Sequence, residues 1–399
     1  MKKYCKTIPE GTRDLLFEEC GAQRHIEHEL AGVFQARGFQ EVMTPGLEYY
    51  DVFSLPAAGI PQELMFKLTD HKGRLLALRP DSTLPIARLT ATRLQDQPHP
   101  LRLYYIQKVY SNNPSLTGRS NEVLQTGIEL LGAGGMRADL EVLSMAMEAL
   151  ASCVPDYRIE LGHAGFFKAL AARLPVGDDL REDIRVSIES KNYAALDSIL
   201  DKLEQTDAVR AIRRLPRLFG GEEVFEEAAA LCGECQPLDY LKKLYRALAS
   251  MGLADKLMID LGLVQRNDYY SDIVFSGYVE GSGDVVLSGG RYDNLLESFG
   301  AAMPAVGFGI NVDALTRLAM SRGGWHSKPA PVLVHGDEGF EIKALNHAAA
   351  LRRCGVRCES SVFATREQAL QYARAQGMER VEFVGAAVET VAVKEDAAR

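Results

Sequence analysis

The sequence has no continuous apolar stretch of about 18 residues. A helix needs about 20 predominantly apolar residues to cross a bilayer, so a transmembrane helix is excluded and no membrane partner is expected. The first residues, Met1–Lys6, are followed by Pro9-Glu-Gly11 rather than by an apolar core and a cleavage site. We therefore expect no signal peptide and a cytoplasmic location.

Runs of basic residues are also absent, since no more than two Lys or Arg residues stand together anywhere. The 45 Lys and Arg residues are outnumbered by 54 Asp and Glu residues, which gives a formal net charge of −9. Proteins that follow a phosphate backbone usually carry a basic patch or a basic domain. The sequence therefore predicts no nucleic acid partner.

Cysteine is scarce, and the seven residues present form an odd set, as is typical of free thiols in a reducing compartment. Cys232, Cys235, Cys354 and Cys358 could together bind zinc, but no histidine lies near either pair at zinc-finger spacing. We favour free cysteines and expect no metal. Gly307-Phe-Gly309 lacks the third glycine and the lysine of phosphate-binding loops, and we expect no cofactor.

With 399 residues, of which 47% are hydrophobic and 25% charged, the chain can form two or three globular domains. The pattern predicts one large mixed domain in residues 1–322, interrupted by a helical insertion at about 164–253. Glycine and proline cluster in residues 323–330, which indicates a linker. Strands and helices alternate in residues 331–399, which predicts a small α/β domain with a parallel or mixed sheet.

Two β-hairpins are predicted in the large domain, one in residues 65–78 and one in residues 101–131. Because hairpins join antiparallel neighbours, the sheet of this domain should be mainly antiparallel. Between the hairpins, a helix is predicted from Leu84 to Leu94. Ser82 or Thr83 is placed to cap it.

Seven short motifs follow one another along the chain. They are Pro9-Glu-Gly-Thr-Arg-Asp14, Thr44-Pro-Gly-Leu-Glu48, Leu78-Arg-Pro-Asp-Ser-Thr83, Gln125-Thr-Gly-Ile-Glu-Leu-Leu-Gly132, Asp268-Tyr-Tyr270, Gly289-Gly-Arg-Tyr-Asp293 and Pro304-Ala-Val-Gly-Phe-Gly309. In this order they resemble the motifs of histidyl-tRNA synthetases, and the resemblance covers essentially the whole chain. It implies an α/β (α+β) class II synthetase-like core, with an antiparallel sheet flanked by helices. It also implies a dimer through the first motif and a C-terminal domain similar to class II anticodon-binding domains.

The chain departs from the synthetase pattern at the residues that handle ATP. The resemblance aligns Ser111 with the arginine of the second motif and Asn113 with its glutamate. It aligns Ala314 with the arginine of the third motif, and Gln265 with an arginine that activates histidine. Losing one group that stabilises charge in a transition state costs on the order of 10²–10³ in rate. The loss of three cations therefore implies a protein that is not an enzyme.

The resemblance implies that the amino-acid side of the site is kept. The residues expected to bind histidine are Asp81, Thr83, Gln125, Glu129, Tyr269, Tyr270, Arg291 and Tyr292. Asp81 and Thr83 would receive the α-ammonium group together with Gln125, while Glu129 and Tyr270 would face the imidazole ring. Carboxylates pair with an ammonium group, and a glutamate and a phenol can bracket both ring nitrogens.

A synthetase-like chain that keeps the histidine pocket and lacks the ATP-binding cations resembles the regulatory subunits of ATP phosphoribosyltransferase. This resemblance implies a hetero-oligomer with the short-form catalytic subunit at the first step of histidine biosynthesis. It also implies a contribution to feedback inhibition, with L-histidine as effector. Two alternatives stay open from the residues alone: an active histidyl-tRNA synthetase, and a stand-alone histidine sensor that acts on another partner.

Overall fold

The computed structural model describes residues 4–55, 59–114, 118–233, 235–263, 270–323 and 330–393. The chain divides into two compact units, residues 1–324 and 325–399. None of the helices in the described segments combines the length and the apolar composition needed to span a bilayer.

In the described part of the larger unit the strands form a nine-stranded sheet and a three-stranded sheet. The strands are β1 (Gln40–Glu41), β2 (Leu47–Tyr49), β3 (Lys67–Thr69), β4 (Leu75–Leu78), β5 (Leu101–Tyr110), β6 (Glu122–Leu131), β7 (Tyr157–His163), β8 (Phe219–Gly220), β9 (Leu257–Asp260), β10 (Ile273–Val279), β11 (Leu287–Arg291) and β12 (Ala305–Asn311). The order in the large sheet is β1-β5-β6-β12-β11-β10-β7-β9-β8, and in the small sheet β2-β4-β3.

The large sheet is mainly antiparallel, as predicted. Within it β1 pairs with β5, and β7 with β9, in parallel, and the other neighbours are antiparallel. Both predicted hairpins are present. The longer one pairs β5 with β6 in an unbroken ladder from Leu101 opposite Leu131 to Tyr110 opposite Glu122.

The helices of the larger unit cover the sheet and form the insertion. They are α1 (Phe17–Ala36), α2 (Thr83–Arg93), α3 (Met136–Cys153), α4 (Ala164–Ala171), α5 (Asp178–Glu189), α6 (Tyr193–Leu200), α7 (Asp207–Arg214), α8 (Glu223–Cys232), α9 (Gln236–Leu248) and α10 (Val312–Ser321). Side chains of α1, α3 and α10 pack with Ile128 and Leu130 on one face of the sheet. Leu103, Tyr105 and Leu131 point to the opposite face, where α2 and the small sheet pack.

The smaller unit has the predicted α/β pattern with one strand more than expected. Its strands are β13 (Val332–Gly336), β14 (Cys358–Ser360), β15 (Arg380–Val384) and β16 (Val388–Ala392), and its helices are α11 (Glu341–Arg353) and α12 (Arg366–Ala375). The order is β14-β13-β15-β16, in which β16 is antiparallel to β15 and the other pairs are parallel. The sequence prediction missed β16 because this edge strand is mostly exposed and lacks a buried apolar run.

Candidate ligand-binding site

The predicted histidine-binding residues meet on the face of the large sheet that carries α2. In an antiparallel ladder, residues directly opposite each other point to the same face. Glu129 stands opposite Leu103 on one side and Gly307 on the other, and Gly307 stands opposite Gly290. The register therefore places Glu129 beside Gly307 and Gly290, two positions that carry no side chain on this face. The start of α2 lies next to Glu129, because Thr83 donates a hydrogen bond to it.

Glu129 is the centre of the site and is only 2% exposed. Thr83 donates a hydrogen bond to Oε1 of Glu129 at 2.7 Å, and the phenol of Tyr292 donates to Oε2. Burial raises the pKa of Glu129 to about 8, although both hydroxyl donors act in the opposite direction; the nearby Asp81 adds to the rise. A carboxyl group with this pKa is mostly protonated at neutral pH, and a ligand that brings a positive charge or an N–H donor would favour its ionised form.

Asp81 supplies a second carboxylate at the first turn of α2. Its Oδ1 accepts a hydrogen bond from the backbone N–H of Leu84 at 2.8 Å, so Asp81 takes the capping role that we predicted for Ser82 or Thr83. Burial raises the pKa of Asp81 to about 6, although its backbone hydrogen bonds lower it. Across the described segments, no Lys, Arg or His forms an ion pair with Asp81 or Glu129.

Tyr105 is a lining residue that the sequence analysis missed. Its phenol donates to Oε1 of Gln125 at 3.0 Å. Burial raises the pKa of Tyr105, and the charges of Glu129 and Asp81 raise it further, so the phenol stays protonated. The hairpin prediction contained a usable signal, because Tyr105 lies opposite Gly127 and therefore shares a face with Gln125 and Glu129.

Gly307 and Gly290 form the floor of the site, and the side chains of Glu129 and Tyr270 lie directly against them. A Cβ atom on Gly307 would lie 2.0 Å from Oε2 of Glu129, and one on Gly290 would lie 2.5 Å from the ring of Tyr270. Real Cβ atoms do not approach other heavy atoms so closely. Glycine is therefore required at both positions for Glu129 and Tyr270 to lie where they do.

The structure contradicts one predicted member of the site, Arg291. This residue stands opposite Val306, one position beyond the Gly290–Gly307 pair, so its side chain points to the other face of the sheet. There its Nε donates to Oδ1 of Asp139 at 3.0 Å. The resemblance placed Arg291 and Tyr292 in the pocket together, although adjacent residues of a strand point to opposite faces. The predicted positions Tyr269 and Gln265, and residues 324–329 of the linker, lie outside the described residues.

The positions that should hold ATP in a synthetase carry neutral groups with local partners. The backbone N–H of Ser111 donates to the carbonyl of Asn121 at 2.9 Å, and the amide of Asn113 donates to the carbonyl of Ser120 at 2.9 Å. Ala314 is 4% exposed in the first turn of α10. Its neighbour Asp313 accepts hydrogen bonds from the side chain of Gln23 and from the backbone of Leu124, each at 2.8 Å.

Two clefts of about 240 and 320 Å³ lie beside these positions. The cations that line them are Arg13, Arg24, Lys108 and Arg119. The first three form salt bridges with Glu19, Glu27 and Glu122, respectively. Three of the four cations that line these clefts are therefore paired with carboxylates.

Sequence comparisons show which proteins this chain resembles. A family model described as histidyl-tRNA synthetase matches residues 11–315. A curated relative from Clostridium kluyveri, named ATP phosphoribosyltransferase regulatory subunit, is 40% identical over 386 residues, which cover 95% of this chain and 99% of the relative. A relative of the same name from Bacillus mycoides is 37% identical over 385 residues, covering 94% of this chain and 90% of the relative.

Solved structures of related proteins share the fold of this chain. A crystal structure from Bacillus halodurans, described as an ATP phosphoribosyltransferase regulatory subunit/histidyl-tRNA synthetase, has a TM-score of 0.85 at 29% identity and covers 97% of this chain and 100% of that one. A histidyl-tRNA synthetase from a Nostoc species has a TM-score of 0.76 at 19% identity, with 97% of each chain covered. The second likeness shows the shared fold alone.

Proposed function

Because this chain belongs to the histidyl-tRNA synthetase-related family of ATP phosphoribosyltransferase regulatory subunits, we propose that it completes the transferase of histidine biosynthesis as a non-catalytic partner. It binds a short-form catalytic subunit, supports the transfer of phosphoribose from phosphoribosyl pyrophosphate to ATP by that subunit, and makes the reaction sensitive to histidine. The proposed role places the protein in the cytoplasm.

The pair of carboxyl groups formed by the buried Glu129 and the half-buried Asp81 is the observation that carries the histidine part of this proposal. Neither carboxylate has a cation partner within the described residues, although burying an unpaired carboxylate is costly. Free histidine has an α-ammonium group at one end and a ring with an N–H donor at the other. The ammonium group would pair with Asp81 near Thr83, and the ring would meet Glu129 beside Tyr270.

The neutral ATP positions support the non-catalytic part. An adenylating enzyme must stabilise the triphosphate of ATP and the charge that develops on the transferred phosphorus. Here Ser111 and Ala314 are neutral, and three of the four cations lining the nearby clefts are bound to carboxylates. Such a site fits a protein that has kept amino-acid recognition without activating the amino acid.

An apolar face of the small sheet supports a self-dimer. Leu47, Tyr49 and Leu68 are 44–47% exposed, and the register places all three on the same face as Leu76 and Leu78. Monomeric proteins rarely leave a contiguous apolar patch of this kind in water. We propose that a second copy of this chain covers it, which agrees with the dimer implied by the synthetase-like first motif.

The decisive experiment measures phosphoribosyl-ATP formation by the same organism's short-form catalytic subunit, with and without this chain, across a histidine titration. Stimulation of the reaction together with a new sensitivity to histidine is the expected result. The absence of any effect, together with failure of the two chains to co-elute, would overturn the proposal.

A second assay separates this role from the synthetase alternative. Purified chain should show no histidine-dependent exchange of pyrophosphate with ATP, and an authentic histidyl-tRNA synthetase provides the positive control. Exchange above the no-enzyme background would mean that the neutral residues at positions 111 and 314 do not abolish adenylation.

A further inference from the structure

A buried polar cluster lies on the face of the sheet opposite the pocket. It consists of Asp139 on α3, Tyr240 on α9, and Arg291 and Asp293 at the end of β11, and we call it the rear cluster. Asp139 is fully buried and Arg291 is 2% exposed. Oδ1 of Asp139 accepts from Nε of Arg291 at 3.0 Å and also from Nη2, while Oδ2 accepts from the phenol of Tyr240. Both carboxylate oxygens are therefore satisfied only when Tyr240 contributes its hydroxyl.

The rear cluster fixes the main chain on both sides of the pocket residue Tyr292. Nη1 of Arg291 donates to Oδ1 of Asp293 at 3.0 Å, and the same oxygen accepts from the backbone N–H of Ala305 at 3.0 Å. The backbone N–H of Tyr292 donates to the carbonyl of Ala305 at 2.8 Å. Arg291 and Asp293, the two residues that flank Tyr292, thus fix the main-chain position from which the Tyr292 phenol contacts Glu129.

Tyr240 connects this arrangement to the helical insertion. It lies on α9, and its ring packs edge-to-face on His163, with 6.1 Å between the ring centroids. Burial raises the pKa of Tyr240, and the carboxylate of Asp139 raises it further, so the phenol remains a hydrogen-bond donor at neutral pH. The insertion therefore contributes one donor to a charge network that ends beside the pocket.

We propose that Tyr240 is a positioning residue for the pocket: through Asp139 and Arg291 it holds Tyr292 against Glu129, so that the helical insertion contributes to the affinity for histidine. This inference rests on the proposed function of the pocket. When the Tyr240 hydroxyl is removed, a fully buried carboxylate oxygen loses its donor, and Arg291 must shift to compensate. Because Arg291 directly precedes Tyr292, that shift reaches the pocket.

The test compares Tyr240→Phe with Tyr245→Phe in the full chain by calorimetric titration with L-histidine. Tyr245 lies on the same helix, is buried where Tyr240 is half-buried, packs on Phe225, and makes no hydrogen bond through its hydroxyl among the described residues. We expect Tyr240→Phe to bind histidine roughly two- to thirtyfold more weakly than wild type. Tyr245→Phe should bind like wild type.

The pH profile of binding distinguishes positioning from general loosening. Among the described residues, the titratable groups around Glu129 are Asp81, Tyr105, Tyr270 and Tyr292; Tyr292 donates a hydrogen bond to Glu129 and directly follows Arg291 of the rear cluster. The Tyr292 hydrogen bond favours the ionised form of Glu129. Weakening that bond should therefore move the midpoint of the binding profile to higher pH in Tyr240→Phe and leave it in place in Tyr245→Phe.

Each outcome has a definite meaning. Equal affinities in the two variants would overturn the positioning role and leave the proposed histidine site intact. Weaker binding with an unshifted pH profile would also overturn it, because the loss would then come from the fold as a whole. A wild-type chain that binds no histidine would overturn the proposed site itself, and the positioning role with it.

Discussion

The phenol of Tyr292 donates a hydrogen bond to the Glu129 carboxylate, although the two residues are 163 positions apart in the sequence. The bond holds a buried carboxylate in place over a glycine floor, next to a second carboxylate at Asp81. The pocket is thus arranged around two carboxyl groups that have no cation partner among the described residues. This arrangement has measurable consequences for stability and binding.

The free energy of unfolding of the protein without histidine should fall as pH rises from about 4.5 to about 8, the ordinary and the folded pKa of Glu129, and level off above that. Burial raises the folded pKa of Glu129 to about 8, above its ordinary value of 4.5. A group with a raised folded pKa stabilises the fold below its unfolded pKa, and that contribution is lost as pH rises through the folded pKa. The slope should approach, at most, about 1.4 kcal/mol per pH unit.

Glu129→Gln should flatten this decline, because an amide of nearly the same shape does not titrate. Urea denaturation at several pH values measures the slope, and Glu63→Gln, at an exposed position, serves as the control. An unchanged slope in Glu129→Gln would show that Glu129 is already ionised in the empty pocket.

Asp81→Asn should weaken histidine binding by roughly 10- to 100-fold, the equivalent of one hydrogen bond between charged groups. The asparagine can still accept from Leu84 N, so α2 should keep its first turn. Without histidine, stability at pH 7 should be equal to or higher than that of wild type, because a buried unpaired charge is removed. Titration calorimetry with the exposed Asp96→Asn as control tests both statements. An affinity equal to that of the control would remove Asp81 from the site.

Gly307→Ala should abolish histidine binding and destabilise the fold by about 1–3 kcal/mol. Its Cβ would lie 2.0 Å from Oε2 of Glu129 and 2.4 Å from the carbonyl oxygen of Ile128, so both must move. The control is Gly32→Ala on the exposed side of α1, where no atom lies within 4 Å of the added Cβ. That substitution should raise stability by up to about 1 kcal/mol. Thermal melts with and without histidine measure both effects, and a Gly307→Ala protein that still binds histidine would contradict the glycine floor.

Leu68→Glu should convert the proposed dimer into a monomer, because it places a charge in the apolar face of the small sheet. Thr69→Glu, the next residue on β3, points to the other face of that sheet and should leave the dimer intact. Light scattering coupled to gel filtration gives the mass directly. A wild-type chain that elutes as a monomer at micromolar concentration would rule out the dimer.

Local patterns in the sequence were sufficient for much of the architecture. The hairpin formed by β5 and β6 and the helix α2 were predicted within one residue of their observed ends, because each has a clear period and a distinct boundary. The ordered motifs also identified the family, which the comparisons confirm. Where both faces of a sheet are buried, however, a local sequence pattern does not show to which face a given residue points.

Arg291 and Tyr105 show this limit from opposite directions. The resemblance assigned both Arg291 and its neighbour Tyr292 to the pocket, yet successive strand residues point to opposite faces. Tyr105 was missed because Tyr104 and Tyr105 are equally apolar, and only the pairing with Gly127 shows which of them faces Glu129. Both depend on the register between paired strands, which the pattern of a single segment does not give.

Main-chain atoms at Gly290 and Gly307 form the floor of the pocket, so neither position can accept a larger residue. Any side chain added there collides with Glu129 or Tyr270. A relative that binds a different ligand at this place would have to differ in the walls, at the start of α2 or along β5, because the main chain of the sheet limits every occupant in the same way.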